Sequence, residues 1–182
     1  MKTLSLFLDR IANWKILLVN LAIYMVFNAV LLKNAENKVN ELAQKTIGVI
    51  DLTFGFNPQK TLDMVANYGD EARAYYASVE MTTDVIYPIV YSFLFGIILT
   101  LLFRNKAYKP FPFVNLLPFL ALIFDFAENT TIVILLKTFP NSSEMVATLC
   151  EIFKMCKWLS FGVAVGYILY GLVMLLVKKG KP

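Results

Sequence analysis

Long apolar runs separated by polar connections dominate the chain. Four of them are long enough to cross a bilayer, at about residues 16–32, 84–103, 112–136 and 157–177. A membrane-spanning helix needs roughly 20 mainly apolar residues. The pattern therefore predicts an all-α protein, a four-helix transmembrane bundle that forms a single integral membrane domain over residues 1–182.

The polar segment between the first two spans, residues 34–83, is too long for a simple connection and carries helix signals. Asn57-Pro58 is typical of an N-cap followed by proline at the first helical position, and Gly69 of a helix end. From Asp70, a second N-cap, no stop signal precedes Phe103. We therefore expect one helix of about 33 residues that projects beyond the bilayer.

The distribution of lysine and arginine predicts the orientation in the membrane. Residues 1–15, the 104–109 turn and the tail after residue 177 hold three basic residues each, whereas residues 34–83 hold four basic and seven acidic residues. Under the positive-inside rule, we expect both termini of a multi-pass cell-membrane protein to be cytoplasmic and residues 34–83 to be extracytoplasmic. The leucine stripe in residues 1–15 predicts a short interfacial helix before the first span.

Composition removes several kinds of chemistry. Of the 182 residues, 58% are hydrophobic and only 16% charged, against about 25% in soluble domains. The chain has no histidine, and its cysteines, Cys150 and Cys156, lie on different faces of one predicted helix. We therefore expect no haem, zinc or other cofactor, no disulfide and no histidine-assisted nucleophile. The net charge of +4 reflects basic residues at the span ends, so no nucleic-acid partner is expected.

The third span contains the most informative polar residues. Asp125, Glu128 and Asn129 are spaced i, i+3 and i+4, which puts them on one helix face inside an apolar run. An ionised carboxylate at bilayer depth costs at least roughly 2.5–3.5 kcal/mol on insertion scales. These residues must therefore face protein, water or a cation.

The other spans offer polar partners for this face. Lys157, at the outer boundary of the last span, is the expected partner of Glu128, because a lysine stem can extend inward. The predicted outward-facing ligand pocket comprises Asn28, Asp84, Tyr87, Tyr91, Asp125, Glu128, Asn129 and Lys157. Arg73 and Tyr76, on the outer extension of the second helix, are predicted to contact a lipid headgroup. No catalytic residue is assigned.

Three interpretations of this polar cluster stay open. The first is a pocket that binds a membrane lipid, a small amphiphile or a cation. The second is a membrane enzyme, an isomerase or hydrolase, that uses a carboxylate pair as acid and base on an amphiphilic substrate. The third is a structural or assembly subunit whose buried polar contacts lock the bundle. Gly162 and Gly166 permit close helix approach, either within the bundle, which is the expected case, or between two copies.

Three resemblances to known families follow from these residues and their order. Four spans, cytoplasmic termini and a long first outer segment resemble the plan of claudins and tetraspanins, although the paired outer cysteines of those families are missing. Sterol isomerases of the emopamil-binding type also place acidic residues in a membrane pocket, but with a histidine that this chain lacks. The combination Tyr68-Gly69, Arg73, Tyr76, Asp84, Tyr87-Pro88 and Tyr91, followed by Asp125-x-x-Glu128-Asn129, is similar to uncharacterised bacterial four-span membrane proteins. That resemblance implies a fold and no activity.

Overall fold

The computed structural model describes residues 1–179 and contains helices but no strand in that range. A π-helical turn and two short 3-10 turns, Ile50–Leu52 and Val114–Leu116, accompany eight α-helices. The helices are α1 (Lys2–Ile11), α2 (Trp14–Val26), α3 (Lys33–Ala43), α4 (Pro58–Asn67), α5 (Gly69–Glu80), α6 (Thr83–Phe103), α7 (Leu117–Thr138) and α8 (Glu144–Lys179). The predicted all-α bundle is confirmed.

Within residues 1–179, four helical stretches are long and apolar enough to cross a membrane. They are Trp14–Ala43, Gly69–Phe103, Val114–Thr138 and Glu144–Val177, and each overlaps one of the predicted apolar runs. The first is the least buried of the four, and α2 contains no buried residue at all. Its exposed apolar surface is therefore available to lipid.

The first membrane helix continues well beyond its apolar run. The π-helical turn Phe27–Leu32 joins α2 directly to α3, and the helix ends at Gln44, whose φ of 53° is left-handed. Ion pairs at i, i+3 spacing, Lys33–Glu36 and Lys38–Glu41, support the polar half. The helix therefore reaches from the apolar zone into residues 34–83, called the outer segment after their expected location.

The outer segment folds into a helical cap on the bundle. The side chain of Asn57 accepts a hydrogen bond from the Lys60 amide and Pro58 opens α4, as the sequence predicts. Gly69, with φ of 76°, separates α4 from α5. The cap buries its apolar side chains against α7 and α8 in a core of Val39, Ile50, Met64, Val65, Tyr68, Ala72, Tyr76, Ala77, Ile132, Leu135, Leu136, Ala147 and Cys150.

Two local predictions in this region are wrong. Asp70 does not cap a helix: α5 begins at Gly69, and the Asp70 carboxylate pairs with Arg73. The single helix from Asp70 to Phe103 is interrupted between α5 and α6, where Thr82 leaves the helical region with φ of −128° and ψ of −81°. The hydroxyl of Thr82 donates to the Ser78 carbonyl at 2.6 Å, a local contact that competes with continued helix.

Helix α1 packs on the bundle instead of standing apart from it. Leu8 and Ala12 are buried against Ile97 of α6. The Ser5 hydroxyl donates to Asn115 Oδ1 at 3.0 Å, which ties α1 to the start of the third span. The amphipathic stripe of residues 1–15 therefore packs against α6 and the start of the third membrane stretch.

Tight contacts with neighbouring segments occur at glycines other than the predicted pair. A Cβ atom added to Gly96 would lie 3.1 Å from the Asn115 carbonyl oxygen, and one added to Gly171 would lie 3.0 Å from the Phe103 ring. In the described part of the chain, a Cβ on Gly162 or Gly166 would meet no atom within 4 Å. The prediction that Gly162 and Gly166 pack within the bundle is therefore wrong, while contact between two copies through them stays a prediction.

Candidate functional site

A cavity of about 330 Å³ lies where the outer segment meets the membrane helices. All four membrane helices and the 3-10 turn at Ile50–Leu52 contribute to its wall. Its lining consists of Tyr24, Asn28, Leu32, Lys33, Ala35, Glu36, Val39, Val49, Asp51, Leu52, Tyr76, Val79, Glu80, Asp84, Tyr87, Tyr91, Asp125, Lys157, Trp158 and Phe161. Polar side chains that are far apart in sequence are thus brought together around one space.

The structure separates the eight predicted pocket residues into two groups. Those that line the cavity are Asn28, Asp84, Tyr87, Tyr91, Asp125 and Lys157. Glu128 and Asn129 are buried outside the lining, at 0% and 4% exposure. They contact two of the lining residues and therefore support the wall without facing the cavity.

Glu128 and Lys157 form the ion pair expected from the sequence. Lys157 Nζ contacts Glu128 Oε2, and the side chains are 11% and 0% exposed. The lysine also lies in the attractive field of Asp125 and Asp51. This ion pair joins α7 to α8 and supplies the positive charge nearest the acidic wall.

Asn129 compensates for a proline in the neighbouring helix. Pro88 has no N–H group, so it cannot donate to the carbonyl of Asp84, four residues earlier in α6. Asn129 Nδ2 donates to that carbonyl oxygen at 2.9 Å. The contact satisfies a buried backbone acceptor and fixes the depth of Asp84 relative to α7.

Two tyrosines connect the wall by hydrogen bonds. The Tyr91 hydroxyl donates to Asp125 Oδ2 at 2.9 Å, and the Tyr87 hydroxyl donates to Asn28 Oδ1 at 3.1 Å. The ring of Tyr87 also stacks on Tyr24, with centroids 5.9 Å apart. These contacts join α6 to the first and third membrane helices.

Tyr76 and Arg73, the predicted headgroup contacts, lie in different places. Tyr76 lines the cavity, donates to Asp51 Oδ1 at 2.8 Å and accepts from the Ile50 amide at 2.9 Å. Arg73 is buried away from the cavity, donates to the Val65 carbonyl at 3.0 Å and lies 4.0 Å from the centroid of the Phe139 ring. The structure therefore does not bring the two together over the pocket.

Several lining residues were not predicted from the sequence. Glu80 precedes Asp84, Tyr87 and Tyr91 on the same side of the second membrane stretch, and the spacing of four residues from Glu80 to Asp84 is a signal that identifies it. Trp158 and Phe161 have no such signal, because aromatic residues are common at membrane interfaces. Asp51 enters through a loop, which helical periodicity cannot place.

A second buried ion pair anchors the loop beside the cavity. Lys154 pairs with Glu151, both side chains are 1% exposed, and Lys154 Nζ also donates to Thr53 Oγ1 at 2.6 Å. Glu151 accepts from the Thr61 hydroxyl at 2.6 Å and from the Asn57 amide at 2.9 Å. These contacts hold residues 53–61 against α8.

The chain has no match among protein-family models, curated proteins or solved structures. Its class is therefore defined by the fold and the site alone. Four helices able to cross a membrane make it a multi-pass membrane protein. The resemblance to bacterial four-span proteins transfers no residue role to it.

Proposed function

We propose that this protein binds a lipidic or small amphiphilic ligand in the cavity, on the outer side of the cell membrane. The observation that carries the proposal is the cavity itself, about 330 Å³ in volume and lined from all four membrane helices and the outer segment. Ligand sites typically have volumes of roughly 300–1,000 Å³ and combine an apolar lining with a few polar groups. The cavity fits a headgroup with the first part of an attached chain.

The position of the lining residues supports entry from the bilayer. Asn28 of the first membrane helix and Trp158 of α8 both line the cavity and are exposed at the protein surface. Because α2 has no buried residue, the surface beside Asn28 faces lipid. An amphiphile whose headgroup occupies the cavity has a path for its hydrocarbon chain between α2 and α8.

Contacts within the bundle favour a structural role for part of the cluster. The Glu128–Lys157 ion pair and the Asn129–Asp84 hydrogen bond join helices and need no ligand. They support binding indirectly, since they fix the wall on which Asp84 and Lys157 lie.

Both termini are proposed to be cytoplasmic, on the strength of the lysine and arginine counts. Asn57→Cys and Lys106→Cys in a chain without native cysteines provide the test. In intact cells, a membrane-impermeant maleimide is expected to label Asn57→Cys, while Lys106→Cys reacts only after lysis. Labelling of Lys106→Cys in intact cells would contradict this orientation.

Native mass spectrometry of the purified protein tests ligand binding. We expect a reproducible copurifying amphiphile that is lost in Ala35→Phe, because the buried Ala35 lines the cavity and a phenyl group fills part of it. Ala29→Phe is the matched control, on the same continuous helix but exposed and outside the lining. Val79→Phe, from the second membrane stretch, repeats the test on another wall. Equal retention of the amphiphile in all three variants would contradict binding in the cavity.

A further inference from the structure

Acidic residues outnumber basic residues in the lining of the cavity. Its lining includes the acidic residues Glu36, Asp51, Glu80, Asp84 and Asp125, but only Lys33 and Lys157 as cations. Lys33 pairs with Glu36 at 2.9 Å and Lys157 pairs with Glu128. Among residues 1–179, Asp51, Glu80, Asp84 and Asp125 therefore take part in no ion pair.

Two of these carboxyl groups also have an oxygen without a hydrogen bond. Glu80 Oε2 and Asp125 Oδ1 have no partner within the described chain, and the two residues are 2% and 3% exposed. A buried acceptor without a donor costs free energy, more so when it is charged. Both residues line the cavity, so a ligand there can supply the missing donors.

The aromatic part of the wall suits a positive charge as well. Tyr87 and Tyr91 meet edge to face with centroids 5.4 Å apart, and Tyr91 meets Phe161 at 5.8 Å. Tyr24 and Trp158 extend this surface. A cation above such rings is attracted by their quadrupoles.

The acidic groups surround the cavity instead of converging on a point. In the described chain, no three acidic or cysteine side chains are placed to hold a metal ion. A bare metal ion needs several oxygen ligands at short range, which this arrangement does not offer. An organic cation, with its charge on a larger group and apolar atoms beside it, fits the spread of acids and rings better.

We propose that the ligand is an amphiphile with a protonated amine headgroup. This inference rests on the proposed function, since it names the class of ligand for the same cavity. The N–H groups donate to Glu80 and Asp125, the tyrosine faces surround the ammonium, and the hydrocarbon chain passes between α2 and α8 into lipid. An anionic headgroup is disfavoured, because Lys157 is already paired and four carboxyl groups face the space.

Four probes with the same alkyl chain separate charge, donors and hydrophobicity. Dodecylammonium, dodecyltrimethylammonium, dodecanol and dodecyl sulfate are titrated into the protein in phosphatidylcholine nanodiscs. The Trp14→Phe protein is used, since it leaves Trp158 of the cavity as the only tryptophan. Saturable change of its fluorescence is expected to show dodecylammonium binding at least about tenfold more tightly than dodecanol. Dodecyltrimethylammonium, which lacks N–H donors, should fall between them, and dodecyl sulfate should be weakest.

Variants then locate the binding groups. Glu80→Gln is expected to weaken the binding of dodecylammonium by about tenfold and to leave the affinity for dodecanol unchanged, because only the ammonium loses a charged partner. Asp125→Asn repeats the test at the second carboxyl group. Asp63→Asn, on the exposed face of α4 and outside the lining, is the matched control and should change neither probe.

The outcomes distinguish this inference from the proposed function. Dodecanol or dodecyl sulfate binding as tightly as dodecylammonium would overturn the amine headgroup but leave a binding cavity. If dodecyltrimethylammonium bound as tightly as dodecylammonium, the proposed role of the N–H donors would be overturned. The proposed function itself would be contradicted if no probe bound saturably and if Ala35→Phe retained as much copurifying amphiphile as Ala29→Phe.

Discussion

Replacing Lys157 by methionine is expected to lower the free energy of unfolding by about 3–5 kcal/mol. The substitution removes the cation that contacts Glu128, whose side chain is 0% exposed, and leaves an uncompensated carboxyl group between α7 and α8. Glu128→Gln should cost less, since Lys157 keeps the attraction of Asp125 and Asp51. Equilibrium unfolding in mixed detergent micelles measures both changes.

The double variant Lys157→Met/Glu128→Gln tests the cause of that loss. The double variant leaves no uncompensated charge at this site, so part of the stability lost in Lys157→Met should return. Lys38→Met, which removes an exposed lysine from the Lys38–Glu41 pair, is the control and should cost less than about 1 kcal/mol. A double variant as unstable as Lys157→Met alone would show that the lysine does not act by neutralising Glu128.

Glu151→Ala is expected to have an effect of similar size, about 3–5 kcal/mol. It leaves the ammonium of Lys154, with a side chain 1% exposed, without its counter-charge. The same change removes the acceptor for the Thr61 hydroxyl and the Asn57 amide, so the loop loses its attachment to α8. Equilibrium unfolding gives the stability change, and chymotrypsin cleavage after Phe54 or Phe56, both exposed, should become faster.

Glu41→Ala controls for the loss of a glutamate at the same i, i+3 spacing from a lysine. Its side chain is 68% exposed, so its loss should cost less than about 1 kcal/mol and leave cleavage unchanged. Glu151→Gln/Lys154→Met should recover part of the stability, because the amide oxygen still accepts from Thr61 or Asn57. Similar losses for Glu151→Ala and Glu41→Ala would contradict a special role for the buried ion pair.

Helical periodicity made much of the cavity wall predictable. Asp84, Tyr87 and Tyr91 share a face of α6, and the cost of a charge in an apolar span points from Glu128 to the nearest cation, Lys157. Both arguments need only the spacing of residues along a helix. The interruption at Thr82 does not affect this spacing, because α6 begins before Asp84.

The other features of the site depend on how separate segments of the chain pack together, which residue spacing alone does not predict. Asp51 reaches the cavity through a loop, and the contacts of Asn57 and Thr61 with Glu151 span more than 80 residues of sequence, with separations of 94 and 90. Asn129 was expected to face the pocket, but the acceptor left by Pro88 draws its amide group to the backbone of α6. Gly162 and Gly166 carry the spacing of a packing motif, yet no neighbouring helix lies on that face in the described chain.

Photo-cross-linking tests most directly whether an amphiphile occupies the cavity. Dodecyl amine and alcohol probes with a diazirine beside the headgroup are activated with the protein in nanodiscs, and the modified peptides are identified by mass spectrometry. Adducts are expected to concentrate on residues 76–91 and 157–161, and to decrease severalfold in Ala35→Phe but not in Ala29→Phe. Adducts spread over the exposed faces of α2 and α8, and unchanged in Ala35→Phe, would contradict a ligand-binding cavity.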